Sequence, residues 1–275
     1  MKQKIAIQGI QGSFHHAVVM EYFSPTVALE ECLSFDAVVE AILSKKANQA
    51  VMALENSIAG SIIPNYALID QNDLTIVGEH NLTIHHNLMA LKGQTIGAIT
   101  EVHSHPMALL QCKAFFKDYP QIKLIESSDT AEVARRIAHE KQTGVGAIAP
   151  IAAAEIYGLT LLKRSIQTIK NNVTRFVVIQ QGKESFPKEQ INKASLKFIL
   201  DHQRGSLAAV LNVMSDCGMN LTKIQSLPVI ETPGKYAFFV DITFDTYYHY
   251  EKARKILAIM ALEFKVLGEY THAKS

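Results

Sequence analysis

The sequence predicts an α/β fold in two parts, a larger region of alternating strands and helices followed by a smaller β-α-β-β-α-β unit. Three observations carry this expectation. Short apolar runs such as Lys4–Gln8, 49–54 and Val145–Ala149 each pass through a polar turn into a helical pattern, as in a mostly parallel sheet covered on both faces. Residues 181–193 are polar, hold Gly182 and Pro187, and read as a linker. Beyond them the pattern restarts as strand 196–200, helix, strands 221–230 and 236–244, helix, and strand 264–270, the order of a ferredoxin-like unit.

Composition narrows the class. The chain has 275 residues, 48% hydrophobic and 19% charged, with a formal net charge of +1. That is ample for a globular core and gives no electrostatic footprint for nucleic acid or membrane. Cys32, Cys112 and Cys217 are scattered, which points to a reduced compartment. No apolar run is long enough to span a bilayer, and the N-terminus enters a strand at once, so neither export nor a preceding domain is expected.

The elements follow in order. After strand Lys4–Gln8, Gly9-Ile10-Gln11-Gly12-Ser13 forms a tight turn into a helix ending near Phe23. Such a helix start attracts anions through free N–H groups, but the spacing is not that of a nucleotide fingerprint. A helix spans Phe35–Leu43, with Phe35, Val38, Val39 and Ile42 on one face. Strand 49–54 ends in Glu55-Asn56-Ser57, an acid, an amide and a hydroxyl where a capped helix would begin. Strands follow at 75–85, 88–91 and 96–99, then helix 107–116 with Ser104 as its cap and Gln111 on its flank. Strand 122–125 leads to Asp129 and Glu132, a capping box opening helix 131–140. Strand Val145–Ala149 leads to helix Ile151–Tyr157, which Gly158 stops. Residues Asn171-Asn172-Val173-Thr174-Arg175-Phe176 then run from a polar segment into a buried strand. A guanidinium and a hydroxyl at that mouth suit an oxygen-rich anion. In such folds ligands bind beyond the carboxyl ends of the strands, where the polar turns 9–13, 55–61, 104–106 and 127–130 fall. The histidine pairs 15/16, 85/86 and 103/105 lack further ligands at metal spacing, so no metal is expected.

These pieces in this order, Gly9-x-x-Gly12-Ser13-Phe14, Glu55-Asn56-Ser57-x-x-Gly60-Ser61, Ser104-His105-Pro106 with Gln111, Asp129-Thr130-Ala131, Ala-Ala-Glu-x-Tyr-Gly at 153–158 and Thr174-Arg175-Phe176, resemble prephenate dehydratase with a C-terminal ACT regulatory domain. The resemblance implies a catalytic domain at 1–182 of two lobes like type II periplasmic binding proteins, the second lobe at about 78–165, a linker at 183–193 and an ACT domain at 194–272. It implies decarboxylating dehydration of prephenate to phenylpyruvate, in a cytoplasmic homodimer or homotetramer, without cofactor or metal. Thr174 and Glu55 would be catalytic, with either as proton donor. Ser13, Asn56, Ser57, Ser104, Gln111, Thr130, Arg175 and Phe176 would bind substrate. Gly205, Leu207, Asn220, Leu221 and Ser226 match the elements that bind phenylalanine as an effector. There Gln225 and Leu227 replace the usual Glu and Arg. The alternatives are arogenate dehydratase and a non-catalytic ligand sensor on the same fold.

Overall fold

The computed structural model describes residues 3–24, 26–182, 186–229, 232 and 234–273. It divides into two compact units, Met1–Ile62 with His80–Phe176, and Ile63–Glu79 with Val177–Ser275. The fold is mixed α/β with two sheets. Among the described residues no helix is long and apolar enough to cross a membrane.

The first unit opens with β1 (Lys4–Gln8), α1 (Phe14–Tyr22), β2 (Ala28–Cys32), α2 (Phe35–Leu43), β3 (Gln49–Asn56) and β4 (Gly60–Ser61). The chain continues through α3 (Ile63–Gln71) and β5 (Leu74–Thr83), where the unit boundary lies. It returns as β6 (Asn87–Ala90), β7 (Glu101–Ser104), α4 (Pro106–Cys112), β8 (Lys123–Glu126), α5 (Thr130–Glu140), β9 (Val145–Ala149), α6 (Ile151–Tyr157), β10 (Thr160–Lys163) and the start of β11 (Val173–Gln181).

Strand β1 lies parallel between β2 and β3, and β3 neighbours β11. The other sheet runs β10-β6-β9-β7-β8. Here β7 is parallel to β8 and β9, whereas β6 is antiparallel to β9 and β10. The expected parallel sheet is therefore parallel at its centre with an antiparallel flank. Ile5, Ile7, Val18, Val19, Val51 and Phe176 form one core of this unit. Leu88, Val102, Leu109 and Ile148 form another beneath α4.

Three local expectations are corrected. Residues Ile96–Ala98 form a 3-10 turn at the surface rather than a strand, and the strand is β7, whose backbone finds ladder partners on both sides. The cap of α4 is His105, whose Nδ1 accepts from Met107 N at 3.2 Å, because Ser104 is still within β7. After Glu55 and Asn56 comes a tight hairpin into β4, not a helix. Strands β2 and β10 escaped the sequence reading because they are sheet edges, where Ala-Leu-Glu-Glu-Cys shows no apolar run.

The second unit contains β12 (Lys193–Ile199), α7 (Ser206–Asp216), β13 (Asn220–Pro228), β14 (Tyr236–Thr243), α8 (Tyr247–Met260) and β15 (Glu263–Tyr270). Its strands lie in the order β13-β14-β12-β15, all antiparallel, so the β-α-β-β-α-β order read from the sequence is present. In the hairpin expected at 232–234, Ile230, Glu231 and Pro233 lie outside the described residues. Leu196, Phe198, Val210, Met214, Tyr250 and Leu257 build its core. The tyrosine ring of Tyr250 stacks on Phe244 with centroids 4.5 Å apart. The start of β5 joins the edge of β15 through Ile76 and Gly268. A Cβ on Gly268 would sit 2.2 Å from the Ile76 carbonyl oxygen, so this approach requires glycine.

Candidate active site

The turn after β1 is shaped by close approach. Gly12 has φ +88°, and a Cβ there would meet Ala153 Cα at 3.0 Å. The Tyr157 hydroxyl donates to Gln11 O at 2.6 Å. The segment 153–158 therefore supplies a small residue for contact and a tyrosine as tether. Four of the turn's amides are occupied. Gly9 N donates to Cys32 O, Gln11 N to Glu31 Oε1, Gly12 N to His16 Nδ1 and Ser13 N to Ile10 O, all at 2.8–3.0 Å. Ser13 is buried and its Oγ caps α1 by accepting from His16 N. Gly9 faces Asp129, whose Oδ2 would lie 3.0 Å from a Cβ on that glycine. Asp129 caps α5 through Glu132 N at 2.8 Å, and burial raises its carboxyl above the usual range. Thr130 is buried directly after it.

A second group of side chains gathers where β3 meets β11. The Asn56 Oδ1 accepts from Ile58 N at 3.0 Å and Ala59 N at 2.9 Å, which fixes the orientation of its amide. Its Nδ2 donates to Thr174 Oγ1 at 2.9 Å and to Asn172 Oδ1 at 2.7 Å. Asn172 Nδ2 donates to Gln111 Oε1 at 2.9 Å, and the same oxygen lies 2.8 Å from His86 Nε2. The His86 ring meets Phe14 edge-on at 5.6 Å. Thus Asn56, Gln111 and Thr174, three residues singled out from sequence, are brought together. Asn172 and His86 join them without any site signal in the sequence, Asn172 as one of two consecutive asparagines before β11 and His86 as one of a histidine pair without metal spacing.

Other expected site residues take supporting places. Ser57 Oγ donates to Asn171 O at 3.4 Å and accepts from Val173 N at 3.0 Å, tying the hairpin to β11. Ser104 is fully buried and its Oγ donates to Ile148 O at 2.7 Å. The ring of Phe176 belongs to the core, 2% exposed. Arg175 is buried at the start of β11. Glu55 precedes Asn56 in β3, so strand alternation turns it from the face on which Asn56 meets Thr174. Among the described residues no three His, Cys, Asp or Glu side chains are grouped to hold a metal.

Beneath Phe176 lies His15, with ring centroids 5.0 Å apart, and Phe35 closes its other side at 5.6 Å. Burial pushes the His15 imidazole down to about 3. The native state therefore keeps it neutral, while the unfolded chain takes up a proton near pH 6.5. Between these values the unfolded state binds more protons, so stability falls as pH drops through that window. The loss amounts to a few kcal/mol, each pH unit being worth about 1.4 kcal/mol. Thermal melts from pH 7 to pH 4 should fall less steeply for His15→Leu than for the parent. Parallel curves would show that His15 does not contribute.

The family model described as prephenate dehydratase matches residues 5–184. Arogenate dehydratase 2 of Petunia hybrida is 36% identical over 228 residues, covering 82% of this chain and 57% of its own length. The chain spans only 57–62% of the length of several such curated relatives. The crystal structure of the prephenate dehydratase from Staphylococcus aureus subsp. aureus Mu50 superposes with a TM-score of 0.84 at 26% identity, covering 98% of this chain and all of that one. A structure described as GqqA, a novel type of quorum quenching acylases, gives a TM-score of 0.88 at 25% identity, covering 98% of each chain. Since the match to the family model takes in well over half of the chain, the chain belongs to the prephenate dehydratase family.

Proposed function

We propose that this chain removes CO2 and water from prephenate to give phenylpyruvate. The observation that carries the reading is the donor arrangement around Thr174. Its oxygen accepts from Asn56, which leaves its own proton to be donated elsewhere. An accepted bond also strengthens the one donated. Prephenate has a carboxylate and a hydroxyl at opposite ring positions. As the ring carboxylate departs as CO2, its electron pair enters the ring, and the C–O bond across the ring breaks. The departing hydroxide needs a hydrogen bond where its charge develops, and the Thr174 hydroxyl supplies it. The amide nitrogen of Gln111 would hold a carboxylate, while Arg175, which follows Thr174 in β11 and so faces the other side of the strand, would orient the loop. Glu55 is the alternative donor. Aromatisation drives the reaction, so positioning and desolvation are the protein's main tasks.

The domain reading extends this proposal. The larger region, to residue 182, would form two lobes of the type II periplasmic-binding class, the second at about 78–165. Residues 194–272 would form a ferredoxin-like ACT domain beyond the linker. The strand order β13-β14-β12-β15 with α7 and α8 supports the latter. Phenylalanine would bind near Gly205, Leu207, Asn220, Leu221 and Ser226 in a cytoplasmic homo-oligomer. Gly205 has φ +85° at the start of α7, and Asn220 is exposed at the start of β13.

Arogenate is the second reading, favoured by the 36% identity to a plant arogenate dehydratase. Acyl transfer fits less well, because it needs a nucleophile beside a base, and Thr174 has an amide within hydrogen-bond distance instead. Incubation of the purified protein with prephenate should yield phenylpyruvate, with less when phenylalanine is added. Turnover of arogenate in preference would shift the substrate, and turnover of neither would overturn the dehydratase reading.

A further inference from the structure

Asn172 and His86 are buried polar side chains that the dehydratase chemistry does not require. Asn172 is fully buried and His86 is 4% exposed. Their hydrogen bonds have only one consistent direction. The backbone amides of Ile58 and Ala59 oblige Asn56 to present Oδ1 to them, and therefore Nδ2 to Asn172 and Thr174. Asn172 must then accept with Oδ1 and donate with Nδ2. Gln111 must receive that donation on Oε1, because two amide nitrogens cannot bond each other. The histidine that meets the same oxygen must carry its proton on Nε2. Its Nδ1 is buried and has no hydrogen-bond partner, so no competing bond draws the proton there. Five side chains from four separate parts of the sequence thus share one fixed polarity, anchored at two backbone amides.

The two ends of the chain matter for function. At one end the Thr174 oxygen is an acceptor and its proton is free to be donated. At the other, both lone-pair directions of Gln111 Oε1 are engaged by Asn172 and His86, so its Nε2 hydrogens face away from them. We propose that Asn172 and His86 are positioning residues for the proposed dehydratase site, a single hydrogen-bond chain of fixed direction holding the Gln111 amide donors toward the substrate. Either a reversed amide at Gln111 or a proton on the wrong ring nitrogen would turn a carbonyl oxygen toward a dianionic substrate. Burial holds the imidazole below its ordinary range, against the hydrogen bond to Gln111, which opposes it less strongly. The neutral ring is the form this arrangement needs. This inference rests on the dehydratase reading for its consequence in turnover, and on geometry alone for its direction.

The test therefore reads both. Nitrogen-15 chemical shifts of the imidazole, with His86 assigned by His86→Gln, should show a neutral ring protonated on Nε2 near pH 7. A ring protonated on Nδ1, or an imidazolium, overturns the proposal even if the protein converts no prephenate. The near-isosteric Asn172→Asp keeps an acceptor for Asn56 but loses the donor to Gln111. It should turn the Gln111 amide and move the His86 proton to Nδ1. KM for prephenate should rise about 30-fold, the scale of one hydrogen bond to a charged group, while kcat changes less than about threefold because the Asn56–Thr174 bond survives. Added negative charge alone would raise KM without moving the imidazole proton. An unchanged tautomer in Asn172→Asp therefore also overturns the proposal.

Discussion

Replacing Thr174 by alanine should lower kcat for prephenate by about 10²–10³-fold, the usual effect of removing one preorganised donor to developing oxyanion charge. KM should change far less, because the hydroxyl's bond strengthens only as the C–O bond breaks. Thr174→Ser keeps the oxygen that Asn56 engages at 2.9 Å and should retain most turnover. Glu55→Gln separates the two possible donors. The face on which Asn56 meets Thr174 is the one Glu55 is turned from, so Glu55→Gln should stay within a few-fold of the parent. The opposite pattern, near-normal turnover in Thr174→Ala and loss in Glu55→Gln, would transfer the role to the acid. Steady-state assays of three variants decide the matter.

The largest stability effect should come from the second unit. Lys193 Nζ lies 2.9 and 2.8 Å from the two oxygens of Glu79, and the two residues are 4% and 3% exposed. His272 Nδ1 at 2.6 Å and Ala273 N at 3.0 Å also meet the carboxylate. Removing the ammonium leaves a buried anion with weaker compensation. Lys193→Met should therefore cost about 3–5 kcal/mol, read from urea unfolding. Replacing both partners, Glu79→Met with Lys193→Met, removes the orphaned charge and should recover much of that loss. A single variant as stable as the parent would mean that water or rearrangement relieves the charge. This pair was invisible in the sequence. Glu79 lies within the half-polar strand β5 and Lys193 begins a strand 114 residues later, and neither position differs in type from the chain's many exposed Lys and Glu.

The same division runs through the whole molecule. Local chemistry determined what could be read directly. Apolar runs bounded by turn residues marked β1, α2, β9 and α6 at their observed limits, since periodicity and capping act over a few neighbouring residues. Asp129 and Gly158 behave as helix caps for the same reason. Asn56, Gln111 and Thr174 stood out only through the resemblance carried by their ordered motifs, since a cap or an exposed amide serves equally well at single positions of this kind.

What only the tertiary structure decided is pairing and direction. Edge strands β2 and β10 carry too little apolar signal to announce themselves, yet their ladders place them. Ser57, Ser104 and Phe176 look equally available in the sequence, but the folded chain commits their hydroxyls to backbone carbonyls and the ring to the core. Asn172 and His86 acquire meaning only beside Asn56 and Gln111, residues as much as 116 positions away. Hydrogen bonding depends on which atom faces which, and that relation exists only once separate strands and helices are packed together.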